Sequence, residues 1–579
     1  MHAFWPLTLV SLLPAQQLVV DVWPGITGMG PPQWEQVARD GRGGLLLTGN
    51  DGIHGRELFV VSRSGLAAIL DLRPGSLGSN PGVFWSGDDV VFVSALDATG
   101  TGRLWRMDPT THALVVVSTA VESPDERLVR TGDSWVFRGR DLAHGAELRR
   151  TDGTAPGTYL VRDIEPGGWI DGSPRRFASS GQRAMFAQLT FLTVPWITDG
   201  MTATRLASSS LNNPSSFLAL ASHWLFVAGT PAAGYELWTS DETPLGTHML
   251  VEVNPGAATG VVSELVRLGA GALFLGDGPG LGIEPWWSDG TASGTRLVAD
   301  VNPGPASSCV LGITGLVPAG DGVWMTLTDG VHGTEPWFTN GTAAGTFMPA
   351  DICPGSGASI RPFVTNAAPP MYAVGLDRTI VFVADTGTTG NEIWVSDGTA
   401  AGTFPLNEIL PGLASAEPRD FLRVGPNVFF TADDGIHGRE LWALPTAATK
   451  AAVTETVSPP CTGGLPHPQI TSQSTPRVGN QAFAIGVAGA LANSFAGLFA
   501  SFDVQEQQFG GCTLWPETTG MFAATMTDGN GVASLSVPIP ALPFLAGVQL
   551  WLQWGIVRSG GPMLGLVDPS DALFVQIGK

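Results

Sequence analysis

The sequence predicts an all-β chain: a β-propeller of about eight or nine four-stranded blades followed by a C-terminal β-sandwich domain. Three observations lead there. A 21-residue pattern, "EPWWSDGTASGTRLVADVNPG" from Glu284 to Gly304, returns as "EIWVSDGTAAGTFPLNEILPG" from Glu392 to Gly412. Glycine (76) and proline (44) together exceed one residue in five, so turns are frequent and elements short. The stretches between turns are short apolar runs, as in "NVFFTADDGIHGRELW", which suits strands better than helices.

The repeat is anchored by Glu, an apolar residue or Pro, then Trp, with Asp-Gly three residues after the Trp. Nine copies start at Glu57, Arg103, Glu147, Val194, Glu236, Glu284, Glu335, Glu392 and Glu440, spaced on average by about 48 residues, a period typical of propeller blades. Within a copy, the first strand follows Pro-Gly and the second is the apolar run before a Gly-rich hairpin. "ELW" opens the third strand. Asp-Gly-Thr is a tight turn whose Gly takes positive φ, and "GTxLVxDI" is the fourth strand, ended by Pro-Gly. "LVVDVWPG", residues 18–25, is a fourth strand that precedes any first copy, while the last copy, "ELWALPTAATKAAV", lacks its own. The N-terminal strand is therefore expected to complete the last blade and hide two sheet edges. The copies at Arg103 and Val194 have lost the Glu, and the copy at Glu335 has Asn340 in place of the Asp.

"ELWTSD", "EPWWSDGTASGT" and "EIWVSDGTAAGT" resemble the ELWxxDGT repeat proteins, large bacterial secreted or surface proteins, over roughly residues 18–450. The resemblance implies an extracellular, propeller-like repeat protein and brings no catalytic residue with it. After "TVSPPCTGGLPHPQ", a Pro- and Gly-rich linker, the repeat stops. The last segment has other apolar runs, such as "VQLWLQWGIV", and resembles C-terminal modules of secreted planctomycete proteins, which implies surface retention or sorting. The expected organisation is a signal peptide over 1–16, the propeller over 17–455 and the β-sandwich over 456–579.

Composition narrows the function. The net charge is −22, and Lys450 and Lys579 are the two lysines, so phosphate backbones and anionic lipid are disfavoured partners. Ala3–Leu13 has the length of a signal-peptide core but is too short to span a bilayer, and no later apolar run approaches about 20 residues. The expectation is export to the extracellular space or cell surface, as a monomer without a transmembrane segment. The cysteines are Cys309, Cys353, Cys461 and Cys512, with no CxxC pair. An exported chain suggests the disulfides Cys461–Cys512 and Cys309–Cys353.

Candidate sites are few. The repeated Trp238, Trp286, Trp337, Trp394 and Trp442 (with Trp105 and Trp196) read as packing between blades rather than as sugar platforms. The repeated Glu57, Glu147, Glu236, Glu284, Glu335, Glu392 and Glu440 read as acceptors for turn amides. The competing reading is a carboxylate pair for glycoside hydrolysis, which needs two carboxyls within about 5–10 Å. His54, His144, His332 and His437 precede Glu by three residues, without an HExxH pattern. Asp433-Asp434-Gly435 and Asp528-Gly529-Asn530 do not form a calcium ladder, so no cofactor is expected beyond weakly held Ca²⁺. No GxSxG elbow or P-loop is present. The leading expectation is a non-enzymatic binding or scaffold protein that meets a protein or glycan ligand with a loop face, the insertion at 366–372 included. The alternatives are a polysaccharide hydrolase or lyase with carboxylates at the channel, and a structural cell-surface component.

Overall fold

The computed structural model describes residues 17–578 except 21–37, 40–44, 51–52, 63–64, 87–89, 109–110, 120, 122–126, 168–170, 191–192, 208–210, 310–314, 361–371, 407, 450, 458–459, 462–466, 503, 510–511, 517–520 and 543–544. The expected signal peptide and residues 366–371 of the insertion lie outside the described residues. Secondary structure is almost entirely antiparallel strand.

The copy at Glu284 shows how the sequence becomes a sheet. Strands Val266–Leu268, Gly271–Gly278, Gly282–Ser288 and Arg296–Leu297 pair in that order. Ala272, Leu273, Phe274 and Leu275 are all buried, on both faces of the sheet. Ala272 and Phe274 pack on Leu225, Val227 and Leu237 of the preceding sheet. Leu273 and Leu275 pack on Val323, Met325 and Leu327 of the following one. Such two-sided burial explains why the second strand reads as a continuous apolar run instead of alternating. Each large side chain so buried contributes about 2–3 kcal/mol.

Nine sheets of this kind occupy residues 17–445 among the described residues, one per copy of the repeat. The last is Arg419–Val424, Asn427–Asp433 and Arg439–Pro445, with Gln17–Val20 as its fourth strand; Leu18 lies opposite Trp442. This last sheet also packs on the first. Val424, Phe429, Leu441 and Ala443 share one core with Leu45, Leu47, Phe59 and Val61. Eight sheets have four strands. The seventh has three, Val317–Ala319, Gly322–Leu327 and Glu335–Thr339, which corrects the expectation of four throughout. Its fourth segment keeps a single bridge, Phe338 to Phe347, because Pro349 two residues on has no N–H to extend the ladder.

The Asp-Gly-Thr turn is closed by its own side chains. In the sixth copy Asp289 Oδ1 accepts the Thr291 N–H (2.9 Å) and hydroxyl (2.7 Å), Thr291 Oγ1 accepts the Gly294 N–H (3.0 Å), and Ser288 Oγ meets Thr295 Oγ1 at 2.8 Å. A Cβ on Gly294 would lie 2.0 Å from Asp289 Oδ1, so the second Gly is fixed by contact. Gly290 is fixed by φ +88. Asn340 keeps the same bonds from Thr342, which is why its copy tolerates the change.

Beyond the repeat, Val453–Val457 pairs with Gly565–Gln576, so the C-terminal fold begins on the near side of the Pro-rich segment. It is a five-stranded sheet, ordered Val453–Val457, Gly565–Gln576, Gln549–Gly561, Phe495–Ser501 and Met521–Met526. The three-stranded sheet Gln469–Gln473, Ala484–Ala488 and Ala533–Ser536 packs on it across Ile485, Leu498, Trp554 and Val575. A hairpin, Val504–Phe509 with Cys512–Pro516, covers the other face, where the Trp515 N–H donates to Gln553 Oε1 (3.0 Å). Cys461 and Cys512 are disulfide-bonded.

The second expected disulfide is not formed. Cys309 is buried among Ile283, Val301 and Val323, and burial pushes its thiol up to about 12. Cys353 Sγ lies instead against Gly357 and Gly387, farther along the chain.

The two parts share a core. Val381, Val395, Phe421 and Phe430 of the last two sheets cluster with Val453, Trp515, Trp551 and Phe574. Arg477 pairs with Asp377, Arg423 with Glu455 (3.0 Å), and Gln576 exchanges hydrogen bonds with Thr446.

Candidate functional site

In a four-stranded antiparallel sheet, the hairpin between strands two and three lies at the same end as the loop that leaves strand four. Here that end holds the Gly-rich hairpins and the Pro-Gly loops, and the repeated Glu lies beneath them. In the sixth copy Glu284 pairs across the ladder with Gly276, which leaves room for its carboxylate. Glu284 accepts N–H groups from Val301 (2.8 Å), Asn302 (3.3 Å) and Ser308 (3.1 Å). Glu335 accepts the equivalent N–H groups of Ile352, Cys353 and Ser359, and Glu392 those of Ile409 and Leu410. Glu236 accepts Val253 and Asn254, Glu147 accepts Ile164 and Gly172, and Glu57 accepts Leu72 and Ser79. Glu440 is buried too; its corresponding loop falls in residues 21–37, outside the described residues.

All seven Glu residues are at most 1% exposed. Six of them bond the loop of their own copy, and none presents its carboxyl to solvent as a hydrolytic pair requires. Burial pushes the carboxyls of Glu147, Glu236, Glu284 and Glu392 up to about 7, against the pull of the backbone N–H donors. A carboxyl raised in the fold from 4.5 stabilises fully below pH 4.5, and that contribution is lost as pH rises toward 7. The midpoint of thermal unfolding is therefore expected to be highest near pH 4–5 and to fall steadily toward pH 8. A midpoint flat from pH 5 to 8 would show that the N–H donors keep these carboxylates ionised throughout. On the acid side, bonds from His144 and Arg149 outweigh burial and hold Asp141 down to about 2, so its contribution is lost as pH falls from 3.8 toward 2.

The repeated tryptophans lie in the cores between sheets. Trp238 packs tilted against Phe226 (centroids 6.0 Å, 33° between planes) and donates to Ala228 O (2.9 Å); Trp286, Trp337, Trp394 and Trp442 each join a core cluster. The histidines belong to their hairpins. His332 Nδ1 is 2.8 Å from Asp329 Oδ2 and His437 Nδ1 is 2.7 Å from Asp434 Oδ2, while the same Asp accepts turn N–H groups. His144 bonds Asp141 likewise. Asp528 accepts the N–H groups of Asn530 and Val532. Among the described residues, no three His, Cys, Asp or Glu side chains are grouped to hold a metal ion, and no helix is long and apolar enough to cross a membrane.

What sequence reading missed is the residue at the hairpin tip. In "DGIHG", "DLAHG", "DGVHG" and "DGIHG" the apolar side chains Ile53, Leu142, Val331 and Ile436 are 69%, 91%, 70% and 67% exposed. Leu77 and Leu413, in the Pro-Gly loops at the same end, are exposed too. Loop and hairpin touch directly: a Cβ on Gly55 would collide with Gly78, and one on Gly390 with Ala414. The signal was present as an aliphatic residue between Asp and His-Gly, where a turn needs none.

No family model and no curated protein matches the chain. Among solved structures, the computationally designed Ika8 protein is 15% identical at a TM-score of 0.34, covering 62% of this chain and 94% of that one. A puromycin-hydrolyzing peptidase of Mycobacterium tuberculosis is 12% identical at a TM-score of 0.30, over 61% of this chain and 58% of its own. A putative TolB from Agrobacterium tumefaciens is 15% identical at a TM-score of 0.23, over 39% of this chain and 83% of its own. Likenesses this slight carry no argument about activity.

Proposed function

We propose that the nine sheets form a closed β-propeller of an exported repeat protein, and that it binds a protein partner, without catalysis, through the end bearing the Asp-Gly-x-His hairpins. The closed ring is supported by the core shared between first and last sheets and by the N-terminal strand in the last one. One observation carries the binding reading: the hairpins present Ile53, Val331 and Ile436 to solvent at one repeat position, and Leu142 is exposed one residue earlier in its own copy. A turn residue gains nothing for the fold from being a large aliphatic, whereas a docking face does. Aliphatic tips also suit a protein better than a glycan, which favours aromatic platforms. The buried, amide-bonded Glu residues support the non-enzymatic reading.

The test is cross-linked capture from the cell envelope, comparing the wild-type chain with the double variant Ile53→Asp, Ile436→Asp. The expected result is a defined partner lost by at least about tenfold in the variant, with thermal unfolding unchanged. Equal capture by both chains overturns the assignment of this face. A midpoint raised by one glycan class, for wild type and variant alike, moves the function to a sugar ligand bound elsewhere.

A further inference from the structure

The C-terminal domain has its own uncovered surface, independent of the hairpin face. Strand Met521–Met526 is the last of the five-stranded sheet and pairs on one side with Phe495–Ser501. Its sequence, "MFAATM", has no charge and no proline. Every residue of it is at least partly exposed, and Phe522 is 59% so. Met521 crosses the strand face over Gly497, where a Cβ would meet its sulfur. Phe495 and Met526 sit opposite each other on that face, and Val557 stands exposed two strands away. The hairpin meets this sheet at Gln553, and farther along Phe495, Met526 and Val557 are all exposed.

Charge selects the occupant. The charged groups of the five-stranded sheet are engaged within the chain: Glu455 with Arg423, Asp568 with Arg558 and Asp571 with His467. In a chain of net charge −22, two copies repel wherever acidic surfaces meet, and this neutral edge is a place where they need not. Among the described residues of the five-stranded sheet, the one basic group, Arg558, is paired with Asp568, which leaves nothing to attract an anionic lipid or nucleic acid. The edge is also complementary to itself. Antiparallel pairing about a two-fold axis through Ala524 sets Ala524 against its own copy, Ala523 against Thr525 and Phe522 against Met526, with the register shift beside Phe522 at the end of the paired stretch and like charges nowhere opposed.

We infer that a second copy of this chain pairs edge to edge along Met521–Met526, joining two five-stranded sheets into one and bringing Phe522 of each copy against Met526 of the other. The sequence reading expects a monomer; this edge gives the reason to expect a dimer.

The test uses the full chain in sedimentation equilibrium across a wide concentration range, with the single variants Ala524→Lys and Met526→Lys. Lysine on an edge strand is tolerated by the fold and blocks pairing. The expected result is twice the chain mass for the wild type, and dissociation at least about tenfold weaker in binding for each variant at unchanged thermal midpoint. If one variant fails to fold, the other decides. A wild-type chain that stays monomeric throughout overturns the proposal, as does a dimer that both folded variants retain. A wild-type monomer that co-sediments with neutral phosphatidylcholine vesicles, where the variants do not, assigns the face to a lipid surface and overturns it too.

Discussion

Replacing Glu284 by Leu is expected to cost about 2 kcal/mol or more, because the buried Val301 N–H and the half-buried Asn302 N–H lose their acceptor and the Ser308 N–H keeps only Ile283 O, each full loss costing about 1–3 kcal/mol. Leucine is close in size, so the effect is one of unsatisfied donors rather than of a cavity. Gln should fall between: its amide oxygen accepts, but its NH₂ meets an N–H that itself needs an acceptor. The damage should be local first, since the loop from Val301 to Ser308 also forms the end of the sheet that meets the next copy. Amide exchange at Val301, Asn302 and Ser308 reads this directly and does not depend on two-state unfolding, which a chain of many sheets need not obey. Asp300→Asn, in the same loop but with its carboxylate exposed, is the comparison and should change exchange little. Unchanged protection of those three amides in Glu284→Leu would sink the idea that the repeated Glu holds the loop.

Loss of the Cys461–Cys512 bond is the other large effect. The two residues are 51 apart, and closing a loop of that length restricts the unfolded chain by about 4 kcal/mol in the chain-entropy account. The bond also fastens the segment entering the domain to the hairpin that caps the five-stranded sheet through Trp515 and Gln553. The double variant Cys461→Ser, Cys512→Ser, and the wild type under full reduction, should both show a lower unfolding midpoint in the transition that reports Trp554. If complete reduction, verified by mass, leaves that midpoint in place, the bond is not a stabilising element. Cys309 and Cys353 serve as the internal control, since neither is disulfide-bonded.

Much of the architecture was legible because the repeat spells out its hydrogen bonds. Glu, Ser, Asp, Gly, Thr, Gly and Thr each have a defined donor, acceptor or steric duty in the sixth copy, so the letters recur wherever the geometry does. The pairing of Cys461 with Cys512 was legible from their place in one segment. Other features were hidden for physical reasons. The missing fourth strand of the seventh sheet turns on Pro349, one residue in a segment that otherwise fits the pattern. The strand Val453–Val457 precedes the Pro-rich segment, and composition does not reveal that its partner is Gly565–Gln576, more than a hundred residues on. Cys309 and Cys353 occupy neighbouring copies, which suggests proximity, but the direction in which each thiol points is decided by packing. The apolar hairpin tips were in plain view as letters; their exposure required the fold.

The strand Gln17–Val20 has a consequence for how the chain comes into being. Its partner, Arg439–Pro445, is synthesised more than four hundred residues after it. Among the described strands of the nine sheets, the first made is thus the one that waits longest for its partner. Until then the first sheet lacks the neighbour that covers Leu45, Leu47 and Phe59, and a nascent chain of any intermediate length carries that exposed flank with it. Covering that flank therefore waits until synthesis has passed Arg439–Pro445, and a premature stop before Arg439 leaves Leu45, Leu47 and Phe59 without the sheet that packs on them.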